Sequence, residues 1–249
     1  MMTRILYAEW LKLRRTPTLW LVFSAPVLYG AFMVWYFSGR GPTDRVQISI
    51  YEGFYQVWAA VVVPLGTGIV TGLMSHQEVQ TANFQGLLAA RTSRVRVYMS
   101  KITVLVLFTT LSTGLAVGTL VIGVKYGLGR PIALMPFIYG GITAGLAAIP
   151  LAVFHLWFSL AFGMGPSIGV GSIGLMLGAL SLTSLGDRYW QYLPWGWIAR
   201  FAMLPGACYY YEVIPKVQPA LSLAVAFLVI NTAGGLMWFE HWEGRKVYQ

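Results

Sequence analysis

Apolar residues run along this chain in six blocks, each close to the roughly twenty residues that an α-helix needs to cross a bilayer. They fall at residues 19–38, 54–74, 102–124, 136–158, 164–184 and 220–239. The stretches between them are polar, proline-broken or glycine-rich, as turns are. The pattern predicts one all-α integral membrane domain over residues 1–249 with six transmembrane helices. Pro26 and Pro64 are expected to kink the first and second spans, and Pro150 to interrupt the fourth. Residues 39–53, opening on Gly39-Arg-Gly-Pro-Thr-Asp44, read as a loop.

Three further segments stand out. Residues 3–15, within an interfacial segment 1–18, are amphipathic: Leu6, Trp10 and Leu13 share one face, with Arg4, Lys12 and Arg15 opposite. Such a helix lies in the headgroup plane, and Glu9 and Lys12, three apart, can pair on it. Residues 76–101 are polar but carry Val79, Phe84, Leu87 and Leu88 at helical spacing, so a short helix is expected under the membrane. Residues 185–218 hold Trp190, Trp195, Trp197 and several tyrosines between Pro194, Pro205 and Pro215. They are expected to form two short helices dipping back into the outer leaflet.

Composition agrees with this layout. The chain is 57% apolar and 10% charged, against about 25% charged in soluble proteins, and its mean hydropathy is +0.66. The net charge of +9 does not point to nucleic acid, because the basic residues cluster at span ends. Ten of the 17 Lys and Arg residues fall on the side of the termini and of residues 76–101, and seven on the other. The positive-inside rule then places both termini and that segment in the cytoplasm. The single cysteine, Cys208, excludes an intramolecular disulfide. The first apolar block is too long for a cleaved signal and reads as a retained span.

Catalytic and metal motifs are not evident. The sequence holds no phosphate-binding Gly-x-x-x-x-Gly-Lys-Ser/Thr, no His-Glu-x-x-His and no Gly-x-Ser-x-Gly. His76, His155 and His241 lie too far apart for a local metal motif. His155 and Asn231, each inside a span, have two readings: bonded within the bundle, or part of a proton path. The spans are nearly free of Asp and Glu, which argues against a carboxylate-based ion-driven mechanism. In the fifth span, Gly165-x-x-x-Gly169 and Gly174-x-x-x-Gly178 allow close helix packing, within the chain or against another subunit. Trp190, Pro194, Trp195 and Trp197 form either an outer gate or a structural aromatic belt.

Glu78-Val-Gln80-Thr81-Ala-Asn83-Phe84-Gln85-Gly-Leu87-Leu88, followed by Ser93-Arg94 and Lys101, resembles the Glu-x-Gln-x-Gly-Asn-Phe-Gln-x-Leu-Leu…Ser-Arg…Lys segment of type-2 (ABC-2-type) ABC exporter permeases. Within that group it is most similar to lantibiotic-immunity and bacitracin-export permeases. Glu9-Trp-Leu-Lys12-Leu-Arg14-Arg15-Thr is similar to the family's entry helix, and Leu193-Pro194-Trp195 to its outer region before the last span. Thr81-Ala departs from the frequent Ala-Gly, and Ala90-Arg91 stands where Ser-Pro is common. The resemblance implies that Glu78, Gln80, Thr81, Asn83, Phe84, Gln85, Leu87 and Leu88 form a coupling helix seated on an ATPase subunit. Trp10, Lys12, Arg14, Arg15, Arg91, Arg94 and Lys101 are then expected as interfacial anchors. It implies separate ABC ATPase subunits carrying ATP and Mg, no cofactor on this chain, and a second permease chain, identical or related. It further implies a bacterial cytoplasmic (inner) membrane location and ATP-driven export, and an antimicrobial peptide or other amphiphile is the expected substrate. An ion-coupled transporter or channel, and a non-transporting scaffold or sensor, remain the alternatives.

Overall fold

The computed structural model describes residues 2–14, 16–41, 43–80, 84 and 93–244, and these are helical nearly throughout, with no strand among them. Six helical segments are long and apolar enough to cross a membrane. Helix α1 (Met2–Leu13) precedes α2 (Pro17–Ser38), the first of the six. Pro17 opens α2 at a position where the missing N–H costs nothing. The second segment is α3 (Asp44–Val57), a single π-turn (Trp58–Val62) and α4 (Val63–Gln80), running on without a break. Helices α5 (Arg94–Ile122), α6 (Leu134–Phe162), α7 (Met164–Ser181) and α9 (Gln218–His241) complete the set, and α8 (Pro194–Tyr210) lies between α7 and α9.

Three expectations are corrected. Residues 39–53 are not one loop: helix begins at Asp44, with the Thr43 hydroxyl accepting from the Val46 N–H. Polar Gln47, Ser49 and Glu52 disguise α3, whose buried face is Ile50, Tyr51, Phe54 and Tyr55. Pro150 does not interrupt α6, which runs unbroken to Phe162. The segment 185–218 is not two short helices. It forms two 3-10 turns (Gly186–Arg188 and Trp190–Tyr192) and then the 17-residue α8, with Pro205 in its interior.

Pro64 explains the π-turn. Proline has no N–H to donate and its ring crowds the carbonyl four residues back. The chain responds by widening one turn, so that the Val63 N–H bonds to the Trp58 carbonyl. The Ala60 carbonyl thus faces outward onto α7 at Gly178, where a Cβ would stand 2.6 Å from it. Only glycine permits that contact. Further along the same crossing, Ser167 Oγ donates to the Gly68 carbonyl at 3.0 Å and lies 3.1 Å from Thr71 Oγ1.

Contacts at both ends position α8 against its neighbours. Its start lies beside the middle of α7, with the Trp195 indole against Gly174. Its end meets the start of α3: Gln47 Nε2 bonds to the Tyr210 hydroxyl at 3.3 Å, and the Tyr211 hydroxyl donates to Glu52 at 2.7 Å. That carboxylate holds the Tyr211 phenol above the usual tyrosine range. Many large apolar side chains point away from the bundle, among them Trp20, Trp35, Met176, Ile230 and Met237. A hydrocarbon surround accommodates such a surface.

Candidate functional site: a buried charge cluster

At the end of the bundle where α1 lies, four charged side chains from three helices meet. Lys101, in the second turn of α5, places Nζ 2.6 Å from Glu78 Oε1 and 2.8 Å from Glu9 Oε2. Lys12 Nζ lies 2.9 Å from the same Glu78 oxygen and 3.2 Å from Glu9 Oε1. Glu78 occupies the last turn of α4, while Glu9 and Lys12 are three apart on α1. Gln77 Nε2 adds a 2.6 Å bond to the Lys12 carbonyl. Lys101, Glu78 and Glu9 are buried, and the Lys12 side chain is one-third exposed.

Two cations alternate with two carboxylates, so the cluster sums to zero. A buried ammonium is tolerated only when paired and hydrogen-bonded, and Lys101 has a carboxylate on either side. The length of the second segment fits this placement. Its 36 residues, Arg45–Gln80, extend about 54 Å at 1.5 Å per residue, well beyond a hydrocarbon core of about 30 Å.

The cluster pins both ends of the polar segment 76–101, through Glu78 and Lys101. A second anchor lies beside it. Phe84 is fully buried with a positive φ of 67°, and its ring meets Trp242 edge-on at 4.9 Å. The Phe84 N–H bonds to the Glu78 carbonyl at 3.1 Å. Arg94 Nη1 donates to the carbonyls of Glu240 (2.9 Å) and Trp242 (2.6 Å), closing the C-terminal end of α9.

The other expected residues divide. Gln80 is exposed, its amide 3.0 Å from the His76 ring. Thr81, Asn83, Gln85, Leu87, Leu88, Arg15 and Arg91 lie outside the described residues. Lys101 and Arg94 were expected at headgroups. Instead one is buried between carboxylates, and the other caps a helix, where a guanidinium meets free carbonyls. On α1 the expected apolar face is rotated. Glu9 and Leu13 turn inward, whereas Tyr7, Trp10, Leu11 and Arg14, at i, i+3, i+4 and i+7, are exposed. The fifth-span glycines separate by pairs. Gly174 and Gly178 pack within the chain, and nothing lies within 4 Å of a Cβ at Gly165 or Gly169.

Trp190 and Trp197 are buried, and Trp195 is half-buried. Trp197 Nε1 donates to the Gln191 carbonyl at 2.7 Å, and Pro194 opens α8. Arg200 holds the turn beneath them through the Ser181 carbonyl (2.7 Å) and Asp187. Asn231 bonds to the carbonyl one turn back, at Phe227. His155 is buried without a side-chain or backbone partner for either ring nitrogen among the described residues.

A charge-paired helical bundle of this hydropathy is a multi-pass membrane protein. The model of the ABC-2 family transporter proteins matches residues 5–178, from α1 into α7. The chain belongs to that family, as the membrane-embedded permease subunit of an ABC transporter that works with an ABC ATPase. The matched span contains all four members of the cluster. No curated protein and no solved structure matches the chain.

Proposed function

We propose that residues 76–101 are the site on which the ATPase subunit bears, and that the cluster of Glu9, Lys12, Glu78 and Lys101 transmits its movement into the bundle. The observation that carries this reading is the double anchoring of the segment. Glu78 and Lys101 close its two ends at 2.6 Å, and Phe84 locks its first part against Trp242. A push on such a segment displaces α4, α5 and α1 together rather than deforming a slack loop. The excess of Lys and Arg at this end supports a cytoplasmic position for it and for both termini, in a bacterial inner membrane. The direction of transport is export, and the substrate class is an antimicrobial peptide or other amphiphile. Support for the direction comes from the likeness of residues 78–88 and 9–16 to exporter permeases. A second permease chain, identical or related, completes the transporter, and the open Gly165/Gly169 face supports such a contact.

A photo-crosslinking amino acid at exposed Gln80 tests the docking site. The expected product is an adduct with the co-expressed ATPase subunit, diminished when ATP is withheld. Adducts formed from Arg45, at the opposite end of the same helical segment, and never from Gln80 would overturn it.

One observation favours an ion-coupled mechanism: among the described residues neither ring nitrogen of His155, inside α6, has a hydrogen-bond partner. Transport that persists after ATP depletion and stops in His155→Gln would select that mechanism.

A further inference from the structure

Between α2, the π-turn with α4, and α5 lies a partly open cavity of about 260 Å³. Leu21, Pro26, Val62, Gly66, Phe108 and Thr113 are among its walls. We propose that it holds one acyl chain of an anionic phospholipid from the leaflet in which α1 lies.

The wall chemistry favours an apolar occupant. Each side-chain polar group on the lining already has a bond: Thr67 to the Val63 carbonyl, Thr109 to Leu105, Ser112 to Val22, and the Trp58 indole to Thr113. The rest of the lining is apolar, so a water inside would find few of the two to four partners it needs. Size fits a chain. An apolar cavity of about 150 Å³ accepts benzene, so this one accommodates on the order of ten chain carbons. The gap has a local cause. Pro26 and Pro64 each lack an N–H, the π-turn displaces the backbone between Trp58 and Val62, and Gly66 contributes no side chain. A Cβ at Gly66 would touch nothing within 4 Å.

In a bilayer, the hydrophobic effect does not drive a chain from lipid into protein. An empty void, however, forfeits dispersion contacts on its walls, and the surrounding medium supplies acyl chains at high concentration. Exposed Arg14 at the α1 end supplies a cation at headgroup level. Phe108, on the cavity wall, meets Trp10 edge-on at 6.4 Å. Trp10 belongs to the outward face of α1 that ends in exposed Arg14. The Trp10 ring and the Arg14 guanidinium on one interfacial face suit an anionic headgroup better than a neutral one.

The test reconstitutes the intact permease in nanodiscs containing phosphatidylglycerol with a diazirine midway along one acyl chain. After illumination, adducts are mapped by mass spectrometry. They are expected to concentrate on residues 58–70 and 105–113, in excess over the exposed face of α9. Gly66→Leu, whose side chain enters the cavity, should cut that labelling about tenfold, and the smaller Gly66→Ala less. Gly234→Leu, on an open helix face, should leave it unchanged. The equivalent phosphatidylcholine probe should label several-fold less. Labelling that follows exposure alone and ignores Gly66→Leu would overturn the proposal. So would displacement of the lipid adducts by a soluble amphiphile, which would make a transported molecule the occupant. Neither result bears on where the ATPase docks.

Discussion

Glu78 and Lys101, 23 residues apart, meet at 2.6 Å in the bundle interior. The pair ties the last turn of α4 to the start of α5. Removing one partner of a buried pair leaves an uncompensated charge, at a cost of about 3–5 kcal/mol. Lys101→Met is therefore expected to lower thermal stability in detergent sharply. Pairing it with Glu9→Gln, which leaves Glu78 with Lys12, should recover most of the loss. Additive losses in the double variant would refute the charge-balance account. Because the cluster is buried, raising the salt concentration should change wild-type stability little.

Phe84 gives an inverted substitution order. A bulky side chain at positive φ is strained, and glycine relieves that strain. Phe84→Ala and Phe84→Gly both lose the ring contact with Trp242, but glycine should be the milder. Protease sensitivity of residues 81–92 provides the measurement, and alanine proving milder would show that the backbone at 84 is unstrained. Both variants should lose most substrate-stimulated ATP hydrolysis.

The glycines of α7 should separate folding from assembly. Gly178→Leu drives a side chain into the Ala60 carbonyl, so yield and melting temperature should fall. Gly165→Leu and Gly169→Leu enter open space and should fold normally while weakening association of two permease chains. Size-exclusion chromatography with light scattering distinguishes these effects. Normal dimers from both variants would remove that face from the interface.

Arg94 closes α9 from a distance of 146 residues. Arg94→Gln should release the last turn of α9, with faster amide exchange over residues 237–242 and little change elsewhere. Charged hydrogen bonds of this kind contribute about 1.5–3 kcal/mol. Uniform exchange across the bundle would mean that Arg94 supports the fold globally.

The spans were legible because hydrocarbon forbids charge, and long windows without it are conspicuous. Helix α3 was not, since Gly39 to Asp44 carry turn chemistry and polar Gln47, Ser49 and Glu52 obscure the spacing of Ile50, Tyr51, Phe54 and Tyr55. The Glu9–Lys12 pair was legible at three-residue spacing. The rest of the cluster was not, because Lys101 is 92 residues from Glu9 and no local period links them. The available signal was numerical: Glu9, Lys12, Glu78 and Lys101 are two acids and two bases at helix ends that otherwise carry mostly bases. Likewise, the small-residue spacing named Gly174 and Gly178, but only the released Ala60 carbonyl shows why Gly178 must be glycine.

Neutrality gives Lys101 two successive duties under the proposed orientation. While the chain is being threaded into the membrane, α1, α4 and α5 have not yet met, and its ammonium is one more bare positive charge retaining the segment on the cytoplasmic side. Once the helices assemble, Glu9 and Glu78 cancel that charge, and the topology signal disappears into the folded bundle. Lys101→Glu would then weaken the topology signal as well as the folded cluster, and a compensating Glu78→Lys exchange would restore both.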